Sequence, residues 1–212
     1  MIAFYDILSS LTAYLSRPIL NCIPFPTNLT YLFISFCTLS SGCSELTLTT
    51  LSSPAYIAFD NDNQGWQISS GAISSYSATG GNPGGYIIGT DNALGFWYFI
   101  ASKEFVSETR KSYERNLGFD LEQSATDSQA NADDVILTDG STILTFDTAY
   151  NPKTTWTHYS IKLDEFSGWK KGKVKATKAD MQTVLQNLTE LRIRGEFRAG
   201  PDRGGLDNVA IY

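Results

Sequence analysis

One histidine, His158, and three cysteines occur in 212 residues. A lone histidine excludes any mechanism that draws two imidazoles from the chain. The cysteines are Cys22, Cys37 and Cys43. Beyond residue 43 the chain therefore offers no disulfide, no thiolate metal site and no cysteine nucleophile. Positive charge is also scarce, with 16 Lys and Arg against 22 Asp and Glu and a net charge of −6. General nucleic-acid binding rests on an excess of cations that neutralise phosphates, and this chain has none. No Gly-x-Ser-x-Gly elbow marks a serine hydrolase, and no two carboxylates stand out as a glycosidase pair.

What is present is globular and leans towards β-structure. Apolar residues make up 42% and charged residues 18%, while aromatics reach 13% beside 17 glycines. The region after the cysteines is long enough to bury a core without cross-links.

The first 43 residues differ from the rest, because Asp6 and Arg17 are their only charges. Leu29–Leu39 is an apolar run of eleven residues, the length of a signal-peptide core and short for a permanent membrane span. It leads into Leu39-Ser40-Ser41-Gly42-Cys43, which resembles the lipobox of bacterial lipoproteins. That resemblance implies lipidation of Cys43; plain cleavage near Gly42 is the rival. Residues 1–43 are thus expected to be a signal or leader segment, its first part an over-extended gene start, with docking on the domain or on a partner as the alternative. Residues 44–54 read as a tether. The protein is expected to be secreted or anchored at the cell surface, touching a membrane only through a lipid or the leader.

From Ala55 onwards short β-type runs alternate with turn signals. The spacing predicts strands at Ala55–Asp60, Gly85–Thr90, Phe96–Ala101, Asn116–Glu122, Asp134–Thr138, Thr142–Phe146, Trp156–Leu163, Leu191–Phe197 and Leu206–Tyr212. Asp139-Gly140 between two apolar runs predicts a hairpin with a type I′ turn. Met181, Val184, Leu185 and Leu188 fall on one helical face and predict a short helix near residues 178–188, capped by Thr177 and Asp180. Many short strands at this spacing indicate an all-β antiparallel sandwich or barrel over residues 55–212.

Several segments, taken in order, resemble the laminin B domain, also called laminin domain IV. They are Phe59-Asp60 with Gly65-Trp66, Gly80-Gly81-Asn82-Pro83-Gly84-Gly85-Tyr86-Ile87, Tyr98-Phe99-Ile100-Ala101, Leu117-Gly118-Phe119-Asp120-Leu121, Trp156-Thr157-His158-Tyr159, and Leu188–Phe197 followed by Gly205-Leu206-Asp207-Asn208-Val209. The resemblance implies a galactose-binding-like jelly roll of the kind found in extracellular matrix and bacterial exported proteins. The chain lacks the cysteine-rich repeats that flank this domain in laminins, so it looks like the solitary bacterial type.

Jelly rolls of this kind place first and last strands together. That would bring Asp60 or Asp62 near Asp207, where carboxylates and carbonyls could enclose a structural Ca2+ ion. The competing reading makes these residues turn formers only. Trp97 and Trp156 are candidate aromatic platforms for sugar, and Arg192 and Arg194, on one face of a strand, are candidate polar contacts. Core packing and a salt-bridged surface are their respective alternatives. The function expected is non-catalytic binding or adhesion, directed at extracellular carbohydrate or a matrix or surface protein. A structural adhesion or spacer domain is the alternative, and a glycoside hydrolase the least supported one.

Overall fold

The computed structural model describes residues 55–69, 71–92 and 94–212. The expected leader, the lipidation of Cys43 and the tether lie outside the described residues.

Two antiparallel sheets build the fold. Sheet I runs in the order β3 (Ala72–Gly81), β4 (Gly84–Asp91), β13 (Arg203–Ile211), β6 (Asn116–Gln123), β9 (Thr157–Lys162), with β1 (Tyr56–Ile57) beside β13. Sheet II runs β11 (Val174–Lys175), β10 (Lys170–Lys171), β8 (Ile143–Phe146), β7 (Val135–Thr138), β12 (Glu190–Arg194), β5 (Tyr98–Ile100), β2 (Gln67–Ile68). This is the all-β jelly-roll sandwich anticipated from the sequence. First and last strands do pair, Tyr56 opposite Ala210 and Ile57 opposite Val209.

Alternation along the strands decides what faces inward. Leu117, Phe119 and Leu121 of β6 and Tyr159 and Ile161 of β9 enter the core from sheet I. Val135, Leu137, Leu144, Leu191, Ile193 and Phe99 meet them from sheet II. In β13 a bulge at Asn208, whose φ is +51°, breaks the alternation. Leu206 and Val209 are both buried in the core as a result, while Asp207 and Asn208 turn the other way.

Two helices flank the sheets. Helix α1 (Lys103–Thr109), for which the sequence gives no periodic signal, is capped by the Ser102 hydroxyl on Phe105 N–H and buries Phe105, Val106 and Thr109. Helix α2 (Lys178–Gln186) is the predicted one. Its capping box is complete: Thr177 Oγ1 accepts from Asp180 N at 3.2 Å, and Asp180 Oδ2 accepts from Thr177 N at 3.0 Å. The predicted hairpin joins β7 to β8, but through the four residues Asp139–Thr142 rather than a two-residue turn. Asp139 Oδ1 holds that loop by accepting Ser141 N and Thr142 N at 2.8 and 2.6 Å.

Candidate functional site

Residues opposite one another in neighbouring strands share a face, so the register of sheet I states what its outer surface carries. Gly205 of β13 stands opposite Ile88 of β4 on one side and Glu122 of β6 on the other. Asp207 stands opposite Asp120, and Asp120 opposite His158. Trp156, just before β9, continues the alternation of His158 and Ser160. Tyr86, Ile88, Gly205, Asp207, Glu122, Asp120, Trp156 and His158 therefore form one outer patch.

Its centre is Gly205. A Cβ there would come within 3.0 Å of both the Trp156 and Tyr86 rings and 2.9 Å of Glu122 Cγ. The missing side chain thus lets the two rings close over the sheet, edge to face, with centroids 5.2 Å apart and planes at 89°. Trp156 is fixed further by its Nε1–H, which donates to Gly80 O at 3.0 Å. Tyr86 is buried and accepts a hydrogen bond from Arg203 Nη2, whereas Trp156 keeps part of its surface in solvent. Burial pushes the Glu122 carboxyl above its ordinary range, and the nearby Arg203 charge partly opposes that.

Beside the rings lies a polar cluster. Asp120 is 3% exposed; its Oδ1 is 2.6 Å from His158 Nδ1, and its Oδ2 accepts from Asn82 Nδ2 and Asn208 Nδ2 at 3.0 and 2.8 Å. Asp207 is fully buried and accepts two backbone N–H groups, from Asn82 at 2.6 Å and Asn208 at 2.7 Å. Desolvation, reinforced by the charges of Asp120 and Asp60, nevertheless raises its carboxyl to about 6. The patch thus offers a propped indole plane, a cationic edge at Arg203, and carboxylate and imidazole groups. Such a set can stack on the apolar face of a pyranose and bond its hydroxyls.

Of the four ligand-binding candidates from the sequence, only Trp156 lies on this patch. Trp97 is fully buried, and its place in the core corrects the expectation of a sugar platform. Its ring fills a slot where Gly89, Gly195 and Gly204 stand, and a Cβ at Gly195 would be 1.8 Å from it. Arg194 is likewise corrected, being fully buried. It reaches Asp134 Oδ1 at 3.2 Å and the carbonyls of Ala130, Ala132 and Glu196, with its guanidinium stacked on Phe96 and Phe197. Arg192 is partly exposed on sheet II, where it pairs with Glu190 at 2.5 Å.

The expected ion ligands also separate. Asp62 is exposed and closes a local turn by accepting Gln64 N at 2.7 Å. Asp60 and Asp207 both border the Gly81–Gly84 turn: a Cβ on Gly84 would lie 3.5 Å from Asp60 Oδ1, and one on Gly81 2.7 Å from Asp207 Oδ2. Among the described residues no group of three or more His, Cys, Asp or Glu is placed to hold a metal ion. Two carboxylates completed by backbone carbonyls remain compatible with calcium, which accepts mixed oxygen donors.

Glu122, Arg203 and Gly205 belong to no motif that marks a site in the sequence. The available signal was in β6, where Asp120 and Glu122 interleave with Phe119 and Leu121 and mark a polar outer face.

Comparison with known proteins places the chain in a family. The model for the laminin B domain (domain IV) matches residues 98–212. The chain belongs to the laminin B family. Laminin subunit gamma-1 of Danio rerio is 28% identical over 159 residues, covering 72% of this chain and 10% of that protein. The Homo sapiens gamma-1 subunit is 28% identical over 119 residues, covering 54% of this chain and 7% of that protein. The chain thus spans a tenth or less of the length of these relatives. Among solved structures, the L4b domain of human laminin alpha-2 superposes with a TM-score of 0.57 at 12% identity, covering 74% of this chain and 96% of that domain. A family 11 carbohydrate-binding module from a cellulosomal cellulase of Clostridium thermocellum gives 0.51 at 12% identity, covering 75% of this chain and 94% of the module. The same kind of module in complex with a β-1,3-1,4-mixed-linked tetrasaccharide gives 0.50 at 13% identity, covering 76% and 96%. At such identities the likeness to solved structures is one of fold. This laminin B domain is therefore built on a sandwich that occurs in both matrix and sugar-binding proteins.

Proposed function

We propose that this laminin B domain is an exported, non-catalytic binding module that recognises neutral extracellular carbohydrate on the outer face of sheet I. The observation that carries the reading is the partly exposed Trp156 ring, propped by Tyr86 over Gly205 and bordered by Glu122, Arg203 and His158. The shared fold with a module solved with a mixed-linked tetrasaccharide supports it. Export rests on the signal-like leader. The hydrolase reading loses ground because Asp120 and Asp207 are engaged by N–H donors rather than poised as acid and nucleophile. Affinity electrophoresis in gels containing mixed-linked β-glucan or xylan tests the proposal. Retardation of the wild type and free migration of Trp156→Ala support it; free migration of both in every polysaccharide favours a structural spacer.

We also propose that calcium serves as a structural ion, held by Asp60 and Asp207 with backbone carbonyls and apart from the sugar-facing ring. A buried carboxylate with two acidic neighbours supports this, because a divalent cation would relieve their mutual repulsion. Melting in millimolar calcium and in chelator tests it, and identical curves would exclude the ion.

A further inference from the structure

At one end of the sandwich the loop after β4, the loop after β12 and the segment around Ala130 border an open cavity of about 530 Å³. That volume falls within the range of specific ligand sites. Its walls are mostly apolar, with Leu94, Phe96, Ala130 and Pro201, and its acidic members are Asp91 and Glu196. Leu94 is fully exposed and Phe96 is 42% exposed, so apolar surface stands uncovered at the rim.

Glu196 is the unusual member. It is only 6% exposed, yet its Oε2 has no hydrogen-bond partner. The nearest cation cannot supply one, because Arg194 is committed to Asp134 and to the carbonyls of Ala130, Ala132 and Glu196. Asp202 does not help either, since it is acidic and engaged by Ser124, Phe197 and Arg203. Burial, with Asp91 and Asp202 nearby, pushes the Glu196 carboxyl above its ordinary range. The Trp97 backbone N–H holds the carboxylate on its other side, but a buried oxygen left without a donor still costs stability, and such costs are retained where a ligand completes the site.

We propose that this cavity is a second binding site, which takes a lysine side chain presented by an extended segment of a partner protein. The argument is charge complementarity joined to shape. The alkyl stem of lysine would lie along Leu94, Phe96 and Pro201, as long cationic side chains do on apolar surface. Its ammonium would reach the one unpartnered oxygen of Glu196. A single free acceptor suits a point charge, whereas the planar fork of arginine calls for two.

The test is an amide NMR titration of the full chain with acetyl-Ala-Lys-Ala-amide, beside the norleucine peptide of nearly the same shape. The lysine peptide is expected to shift the amides of Gly95, Phe96, Ala130, Ala199 and Gly200, saturating in the millimolar range. Norleucine and Glu196→Gln should each weaken binding at least tenfold, and Leu94→Ala, at an exposed site, several-fold. Glu196→Gln should melt no lower than the wild type, because it removes a buried charge and keeps an oxygen for the Trp97 backbone N–H. Trp156→Ala should bind the peptide unchanged, which separates this site from the glycan face. Absence of shifts, or equal binding by norleucine or by Glu196→Gln, would overturn the proposal.

Discussion

Trp156 and Tyr86 meet at 89° above Gly205, and a single methyl group at residue 205 would stand within 3.0 Å of both rings. The glycine therefore determines whether sheet I presents an aromatic platform at all. Close packing offers little slack for an added carbon, so the rings would have to separate.

Gly205→Ala should accordingly cost about 1–3 kcal/mol of stability, the usual penalty for overpacking. It should weaken glycan binding more than tenfold while leaving the far-ultraviolet spectrum unchanged. Urea unfolding and affinity electrophoresis measure the two effects separately.

Asp207 makes stability depend on pH in an unusual direction. Its folded value of about 6 lies above the ordinary carboxylate value of 3.8, so the folded chain holds this proton more tightly than the unfolded chain. The contribution of this group is most favourable below about pH 4 and is lost as pH rises through 6, a change of about 3 kcal/mol at most. Relative to Asp207→Asn, the wild type should therefore lose stability between pH 4 and pH 7. The proposed calcium ion would abolish that loss by holding the carboxylate ionised. Unfolding titrations of both proteins at several pH values, with calcium and with chelator, check both statements.

Arg194 is a clamp inside the fold. Arg194→Met would remove the partner of Asp134 and the donors to three backbone carbonyls. A loss of about 3–5 kcal/mol is expected, as for other broken buried ion pairs. Equilibrium denaturation should show it as a lower midpoint with an unchanged slope.

Thr177→Ala removes the hydroxyl that caps α2 and should cost about 1 kcal/mol. Because α2 packs Met181, Val184 and Leu185 into the core, the change should appear in the global transition rather than as local fraying. Calorimetry checks this, with no effect expected on carbohydrate binding.

The strands that announced themselves in sequence are those with one apolar face. In β6 and β9, Phe119, Leu121, Tyr159 and Ile161 mark the inward positions at a period of two. Strand β3 gave no such signal, because Ser74, Ser75 and Ser77 occupy much of it and only Ala72 and Tyr76 pack on the core. Helix α1 has just seven residues, too few to show a period. The lysine-rich residues 170–175 carry no alternating apolar signal, yet they form the small β10–β11 hairpin, with Lys171 paired to Asp180 at 2.7 Å.

The site was less legible than the fold, for a physical reason. Whether a tryptophan lies in the core or on the surface depends on what stands opposite it. Trp97 is enclosed because Gly89, Gly195 and Gly204, remote in sequence, leave room for it. Trp156 stays partly outside because Gly205 leaves room above the sheet instead. Arg194 is hidden because Asp134, 60 residues away, receives it. Such relationships exist only once strand order is set.

The most direct measurement is a glycan array probed in millimolar calcium with the wild type and Trp156→Ala side by side. Binding of the wild type to a defined class of neutral glycan, lost in the variant, is the result expected of a carbohydrate module that works through this face. A blank array from folded wild type, or equal binding by the variant, would contradict it.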